Sequence, residues 1–542
     1  MSDALSQGAF EVTFSGIMLN DKDLSEFGST PEQIVAALYE KHGIYGFARI
    51  SGPFTIVLQF PDGGKMLVRD PFGQKQLYYT VSGGEVRHSE KLAVLLAPGM
   101  NTDWQAVSEY LSLGYIPAPR TIKKEISSVR AGYCVTLDKN GAIKEEQFYS
   151  PQFYPKTSMT YDEACEGLDA LIEQATARCI AKYPKPGVLL SGGIDSNLVL
   201  CYASKLLAAP PDCITLYFDD KVYNESSLAA QSAQAVGAKH ITKLARPEDF
   251  YEVPRFMKAV GEPFADSSLL ASSTIMEFAV KQKQAVLMGD GGDELFGGYK
   301  RYRFMAIRDM LGDSLTTAGK PFAKLLRAML PASGERRNRL STLHRVADAF
   351  LLPQIPCYGS FQEIFSPKEV AELCPELAQY SPYTEYWEKL ASTLGSIDQA
   401  ETANGIDLCT YLPEDGCRKD NVAAELSGIC ALSPMLDMDV AKFAISMPRK
   451  FKTTLRRSKL PLRTLAKGKL PPVLLQQPKR GFSIPVARWF RNELRQEAEK
   501  LPQILPDCFD KAKVRAILEA HFAEKVDNGT KIWALLALTM GI

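Results

Sequence analysis

One stretch constrains the fold more than any other. An apolar run, Gly187-Val188-Leu189-Leu190, breaks into Ser191-Gly192-Gly193-Ile194-Asp195-Ser196 and passes directly into a helix-forming segment beginning at Asn197. A strand that turns through two glycines into a helix is half of a βαβ unit, and it also builds an anion cradle. Gly192 and Gly193 let the backbone approach an anion and permit positive φ. Successive N–H groups and the helix N-terminus favour negative charge, and Ser191 and Ser196 add hydroxyl donors. Asp195 would repel a phosphate unless a cation lay between them, so the pattern predicts a phosphate site with Mg²⁺. No Gly-Lys-Ser/Thr follows, which separates this turn from a Walker A loop.

The same grammar recurs downstream. The run 213–218 precedes a helix around Ser226–Val236, and 285–289 precedes a second Gly-rich turn. Strands alternating with helices predict a parallel sheet covered on both faces. Beyond about residue 300 the pattern reads as almost wholly helical. Upstream, to about Asp138, it reads differently. The runs 55–60, 65–70 and 76–81 are short, apolar and separated by Gly/Asp turns, which predicts hairpins. One helix is expected over 31–42, with Thr30 as cap and Pro31 at its first position. A Pro- and aromatic-rich stretch at 148–160 reads as a linker. The expected domains are therefore residues 1–150 and 160–542, within the two to four that about 150 residues per domain suggests.

Composition removes several classes. Lys+Arg and Asp+Glu are both 63, so no global field draws the chain to nucleic acid or an anionic membrane. At 46% apolar and 23% charged the chain is neither disordered nor a disulfide scaffold. No apolar run approaches the roughly 20 residues that span a bilayer. The N-terminus has no secretory pattern. Eleven scattered cysteines include no C-x-x-C, and five histidines lie far apart, so no zinc site is expected and reduced, cytosolic thiols are.

The 187–197 stretch resembles the pyrophosphate-binding loop of the PP-loop ATP pyrophosphatases. These cleave ATP between its α and β phosphates, adenylate a substrate and release pyrophosphate. The second turn, from Gly289-Asp290-Gly291-Gly292-Asp293-Glu294 through Gly297-Gly298-Tyr299, resembles the G-E/D-G-x-D-E-x-F-G-G-Y motif of asparagine synthetases. Two acidic turns ending adjacent parallel strands would face one crevice. The resemblance implies that Asp195 and Asp293 share one Mg²⁺ on ATP, with Leu189, at the end of the first strand, and Gly289 in the nucleotide site. It places Asp290 near the attacking amine, where asparagine synthetases carry Glu and β-lactam synthetases Tyr. An acidic group there orients the nucleophile or takes its proton.

A third match runs from Lys459-Leu460-Pro461-Leu462-Arg463 through Leu470-Pro471 to Pro478-Lys479-Arg480-Gly481-Phe482 and Trp489. It resembles that family's K-x-x-L-R … L-P … R-P-K-x-G-F-x-x-P … W. It implies that Lys479 stabilises the tetrahedral intermediate and the pyrophosphate charge, and that Lys459 helps hold the phosphates. Tyr223-Asn224-Glu225-Ser226 with His240, and Tyr411-Leu412-Pro413-Glu414-Asp415 through Pro434-Met435-Leu436-Asp437, match smaller segments. Where E-x-R-x-P is usual, this chain has Cys430-Ala431-Leu432-Ser433-Pro434, which puts aspartate as substrate in doubt.

The segment Arg69-Asp70-Pro71-Phe72-Gly73 through Leu77-Tyr78-Tyr79 resembles class II glutamine amidotransferase domains and implies their Ntn-type α-β-β-α sandwich. Those domains need a Cys after the initiator Met. Here position 2 is Ser2, no cysteine precedes Cys134, and the R-G-P-D and N-G-E segments are missing. A degenerate, structural domain is expected.

The expectation is an ATP- and Mg²⁺-dependent ligase that adenylates a small-molecule or peptide carboxylate and passes it to an amine or ammonia from elsewhere. Intramolecular ring closure, as in β-lactam synthetases, carbapenam synthetases or lasso-peptide cyclases, is one alternative, and Asp290 in place of Tyr points away from a β-lactam. A non-catalytic ATP-binding or docking protein on this fold is another. A nucleic-acid-modifying enzyme would rest only on the basic clusters 336–339 and 456–459, which read as solvated faces. No nucleic-acid or membrane partner is expected, a cytoplasmic location is, and a homo-oligomer is compatible with the sequence.

Overall fold

The computed structural model describes residues 5–6, 10–83, 85–139, 141–220, 223–312, 321, 346–395, 397–476 and 484–541. In chain order, the first strands are β1 (Leu5–Ser6), β2 (Glu11–Gly16), β3 (Phe54–Gln59), β4 (Lys65–Arg69), β5 (Tyr78–Ser82), β6 (Glu85–Ser89), β7 (Ser127–Ser128), β8 (Tyr133–Leu137) and β9 (Ile143–Gln147). They form two antiparallel sheets, ordered β1-β2-β3-β4-β8-β9 and β6-β5-β7. Alternation along each strand sends side chains to opposite faces. Leu67, Val135 and Leu137 meet Leu77 and Tyr79 between the sheets. Val12, Ile56 and Val68 face the helix Pro31–His42 through Ile34, Val35 and Leu38. On the far side Tyr78 packs on the short helix Leu92–Leu95. The order is helix, sheet, sheet, helix, as the sequence implied. Pro31–His42 starts where expected, and Thr30 and Gln33 form a reciprocal capping box.

The second half is built on β10 (Gly187–Leu189), β11 (Cys213–Phe218), β12 (His240–Ala245), β13 (Ala285–Leu287) and β14 (Cys430–Leu432). All are parallel, in the order β12-β11-β10-β13-β14. Ile214, Leu216 and Val286 look to one core with the helices Val253–Val260 and Ser268–Ala279. Val188, Leu190 and Leu287 look to the other, with Tyr161–Lys182 and Ile194–Leu206. Two strands differ from the sequence reading. β12 is a half-exposed edge with little apolar signal, and β14 is a three-residue strand inside the stretch read as helical. No helix among the described residues is long and apolar enough to cross a membrane.

The two halves are bolted together by buried charge. Arg69 Nη1 donates to Glu414 Oε1 at 2.8 Å, and both side chains are buried. Ser51 Oγ donates to Asp437 Oδ2 at 2.8 Å, and Arg178 holds the same carboxylate. The segment 148–160 is less a free linker than a strap. Phe148, Tyr149 and Phe153 are buried, and Lys156 pairs with Glu401 at 2.5 Å.

The helix Trp104–Leu113 continues this junction: Tyr110 donates its hydroxyl to Ala534 O at 2.8 Å. On that helix, burial pushes the Glu109 carboxyl up to about 7 against the pull of Arg120. A carboxyl raised in the folded state binds a proton that the unfolded chain has released. Its contribution is therefore full below the usual glutamate range and is lost as pH rises through about 7. Glu109→Gln, which removes the buried charge, is expected to gain roughly 1–3 kcal/mol over the parent at pH 8 and to match it near pH 4. Paired thermal melts at the two pH values check this, and an equal difference at both would refute it.

Candidate active site

The strand order creates the site. From β10 the chain moves outward through β11 to β12, then returns to place β13 on the other side of β10. At such a switch point the loops after the two central strands diverge and leave a crevice at the strands' C-terminal ends. The two Gly-rich turns leave β10 and β13 there, and they interlock. A Cβ on Gly289 would lie 2.6 Å from Ser196 N, and one on Gly292 would lie 2.7 Å from Asp195 Cγ. Only glycine permits this approach. Gly291, at φ +83, turns the second loop back over the first.

The first loop is organised by its own donors. Gly193 N–H donates to Ser191 Oγ at 3.1 Å, Ser191 N–H to Ser196 Oγ at 3.2 Å, and Asn197 Nδ2 to the carbonyls of Ser191 and Gly193 at 2.9 and 2.6 Å. Gly192 N–H donates to Glu225 Oε2 at 3.1 Å. Glu225 precedes the helix Ser226–Ala235 but spends its carboxylate on this loop instead of capping that helix. An anionic oxygen thus sits where the cradle favours one. His240 lies a layer behind: its Nε2 is 2.9 Å from Thr215 Oγ1, whose hydroxyl donates to Leu190 O.

Asp195 and Asp293 converge on one point, the ammonium of Lys459. Lys459 Nζ lies 2.6 Å from Asp293 Oδ1 and also hydrogen-bonds Asp195 Oδ2. All three side chains are buried. Lys459 holds an unfavourable left-handed backbone at φ 55, just ahead of the helix Leu460–Ala466, and so points inward. The cluster 456–459 is split: Arg456 and Arg457 are solvent-exposed, as expected, whereas Ser458 and Lys459 turn into the cavity; residues 336–339 lie outside the described residues. Two carboxylates from different loops already close around one cation, and they leave one negative charge over. With no third carboxylate, His or Cys grouped beside them among the described residues, this donor set fits Mg²⁺, which binds through one or two carboxylates and completes its shell with phosphates and water.

The surrounding cavity is about 400 Å³. Leu189, Ile214, Leu216 and Met288 give it an apolar wall, and the loops give it a polar floor. Its far end is acidic. Asp266, Asp290 and Asp420 line it with Lys419, and Asp415 stands behind. Lys419 Nζ lies 3.5 Å from Asp266 Oδ2. Burial alone would lower the Lys419 ammonium, but Asp420, Asp266, Asp290 and Asp415 hold it well above the usual lysine range. Burial pushes the Asp415 carboxyl up, and Asp266 pushes it further. Asp420 is raised by burial as well, while accepting from Ser272 Oγ at 2.9 Å. Ser433 Oγ donates to Asp290 O at 2.7 Å and holds that residue's backbone beside β14. Glu294, also lining the cavity, accepts from Tyr299 Oη at 2.7 Å.

Leu189, Ser191, Gly192, Gly193, Asp195, Ser196, Gly289, Asp290, Asp293 and Lys459 all line this cavity. Lys479 lies outside the described residues. Sequence reasoning missed Asp266, Ser272, Lys419 and Asp420. The one local signal was the run 414–420, where Glu414, Asp415, Arg418, Lys419 and Asp420 put five charges in a segment that becomes buried.

Two family models match: asparagine synthase over residues 167–541 and a glutamine amidotransferase domain over residues 19–149. The chain is 26% identical over 511 residues to asparagine synthetase [glutamine-hydrolyzing] 1 of Bacillus subtilis, covering 93% of this chain and 79% of that one. It is 27% identical over 527 residues to a putative asparagine synthetase [glutamine-hydrolyzing] of Mycobacterium bovis, covering 93% and 78%. Over 300 residues it is 27% identical to amidase chry2 of Gibberella zeae, covering 51% and 44%.

Proposed function

The chain belongs to the asparagine synthase family, and from that membership we propose that it uses MgATP to adenylate a carboxylate and passes the acyl group to an amine not released by its own N-terminal domain. The observation that carries the reading is the convergence of Asp195 and Asp293 on one cationic point between two interlocked loops. Asp195 and Asp293 would hold Mg²⁺, which when bound neutralises phosphate charge. Glu225 yields its place on the Gly192 N–H to a phosphate oxygen, and the hydroxyls of Ser191 and Ser196, held by the Gly193 and Ser191 N–H groups, donate to the phosphate beside it. Lys459 supplies positive charge to the departing pyrophosphate. Leu189, Ile214, Leu216 and Met288 offer a flat apolar slot for the base. Asp290 orients the amine and takes its proton.

A donor other than its own glutaminase is supported by the N-terminal half. Position 2 is Ser2. The first cysteine, Cys134, is buried, and burial pushes its thiol up to about 12, so it offers no thiolate. Glutamine is therefore expected to support no more turnover than its free ammonia contributes, and Ser2→Ala to leave turnover unchanged.

The test is nucleotide product analysis with panels of acids and amines. AMP and pyrophosphate support the reading, whereas ADP and orthophosphate refute it. Lys479→Ala is expected to lower kcat by about 10²–10³ with the KM for ATP little changed, as for a group engaged in the transition state. Steady-state kinetics would read this directly, and a rise in KM alone would move Lys479 to ground-state binding.

A further inference from the structure

Two of the eleven cysteines, Cys374 and Cys508, meet away from the reaction cavity, which neither of them lines. Cys374 closes the helix Pro367–Leu373, its N–H donating to Val370 O at 2.9 Å. Cys508 stands in the turn ahead of the helix Lys511–Phe522. The two segments run past each other and are tied in step. Lys513 Nζ lies 3.5 Å from Glu372 Oε2, and Asp510 N–H donates to Leu373 O at 2.8 Å. One residue further along, the thiols of Cys374 and Cys508 share a hydrogen bond. A disulfide needs α-carbons within about 7 Å and side chains that face one another. Touching thiols on hydrogen-bonded segments answer both needs without moving the backbone. The pair is also unequal. Cys374 is fully buried, and burial with the neighbouring sulfur pushes its thiol up to about 12, whereas Cys508 is half-exposed. A thiol like Cys374 is inert to reagents in solvent, but it can complete an exchange that an accessible neighbour begins.

We propose that Cys374 and Cys508 are an oxidisable dithiol, which closes to a disulfide on meeting a low-molecular-weight disulfide such as oxidised glutathione. Cys508 gives up its proton and its sulfur attacks one sulfur of the reagent, whose S–S bond breaks and releases one thiolate. Cys374 then gives up its proton and attacks the Cys508 sulfur of the mixed disulfide, and the second reagent thiolate leaves. Two protein thiols are oxidised, the reagent is reduced to two thiols, and both protons end on it. The bridge is a staple at a junction of several elements. The segment that leads into the helix Pro367–Leu373 is held to the N-terminal half, because Ile364 N–H donates to Ser112 O at 2.8 Å. Glu369 on that helix pairs with Lys531 of the helix Gly529–Gly541. Oxidation adds a covalent tie there and closes the whole stretch from Cys374 to Cys508 into one loop. Loops this long lose most freedom in the unfolded chain, so the folded state gains.

The test needs no turnover. The full chain is incubated under native conditions with oxidised glutathione, its remaining thiols are alkylated, and its peptides are mapped by mass spectrometry. A cross-linked pair holding Cys374 and Cys508 is expected, two hydrogens lighter than the reduced peptides together and separated by dithiothreitol. Cys374→Ser should stall with glutathione on Cys508, and Cys508→Ser should leave Cys374 unmodified. The oxidised parent should melt several degrees above the reduced parent, a gap that Cys508→Ser abolishes. If the buried serine variant does not fold, the parent's peptide map and Cys508→Ser decide alone. Glutathione left on Cys508 of the parent, no modification at either cysteine, or a bridge that forms only in denaturant would overturn the pair. Coincident melting of the two redox states would overturn the staple.

Discussion

Asp293→Asn is expected to cut pyrophosphate release by roughly three orders of magnitude while leaving the chain at least as stable as before. The two halves of that expectation have one cause. Asp195, Asp293 and Lys459 are buried together and carry one negative charge in excess. Removing one carboxylate balances the cluster, so the folded state loses nothing in charge. The same change leaves one aspartate to hold the divalent ion. Lys459→Met should do the reverse to stability, because it leaves two buried carboxylates facing one another. Breaking a buried ion cluster by removing one partner costs about 3–5 kcal/mol. Pyrophosphate release titrated against Mg²⁺, beside melting curves of both variants, separates the effects. An Asp293→Asn variant that turns over normally at ordinary Mg²⁺ would remove the shared-ion site. A Lys459→Met variant that melts with the parent would mean that the two carboxylates do not bear on each other.

Much of this site is legible in the sequence because phosphate chemistry is local. A cradle of N–H groups must come from consecutive residues, so Ser191 to Ser196 can be read as a unit, as can Gly289 to Asp293. What cannot be read so is the acceptor wall. Asp266 and Asp420 reach the cavity of Asp290 from two other elements, and each alone looks like an ordinary surface acid. Glu225 shows the same limit, since it stands just before a helix and only the fold reveals its bond to Gly192. Among the elements, Pro31–His42 carried its own cap and proline and was fully marked. β14 is three residues long, and its partner β13 pairs with it from 145 positions upstream, so nothing in its neighbourhood announces it. The strap at 148–160 reads as loop because its order comes from buried aromatic rings and the Lys156–Glu401 pair, not from periodicity.

Arg69→Met is expected to destabilise the chain by about 3–5 kcal/mol, a large effect for an arginine distant from the reacting groups. Its guanidinium is fully buried and makes a hub. It donates to Lys75 O at 2.7 Å, Val129 O at 2.9 Å, Gln76 Oε1 at 2.9 Å and Glu414 Oε1 at 2.8 Å. Beside it, Asp70 collects the N–H groups of Phe72, Gln74 and Lys75 and fixes the turn that presents Arg69. Glu414 sits in the π-helical turn Leu412–Gly416, which leads into the helix Cys417–Ser427 carrying Lys419 and Asp420. The arginine of a glutamine-amidotransferase-like motif thus anchors the acceptor wall of the other half. Methionine would leave Glu414 buried without its cation, and that orphaned charge, more than the lost packing, sets the cost. Arg69→Met with Glu414→Gln should therefore recover most of the stability lost by the single change. Because the clamp bears on the acceptor wall and not on the nucleotide loops, amide formation should fall more than pyrophosphate release in the single variant. Urea midpoints of the two single variants and the double, with both products assayed, check each step. Additive losses would show that Arg69 and Glu414 are not a coupled pair. Equal loss of both products would show that the clamp reaches the nucleotide site as well.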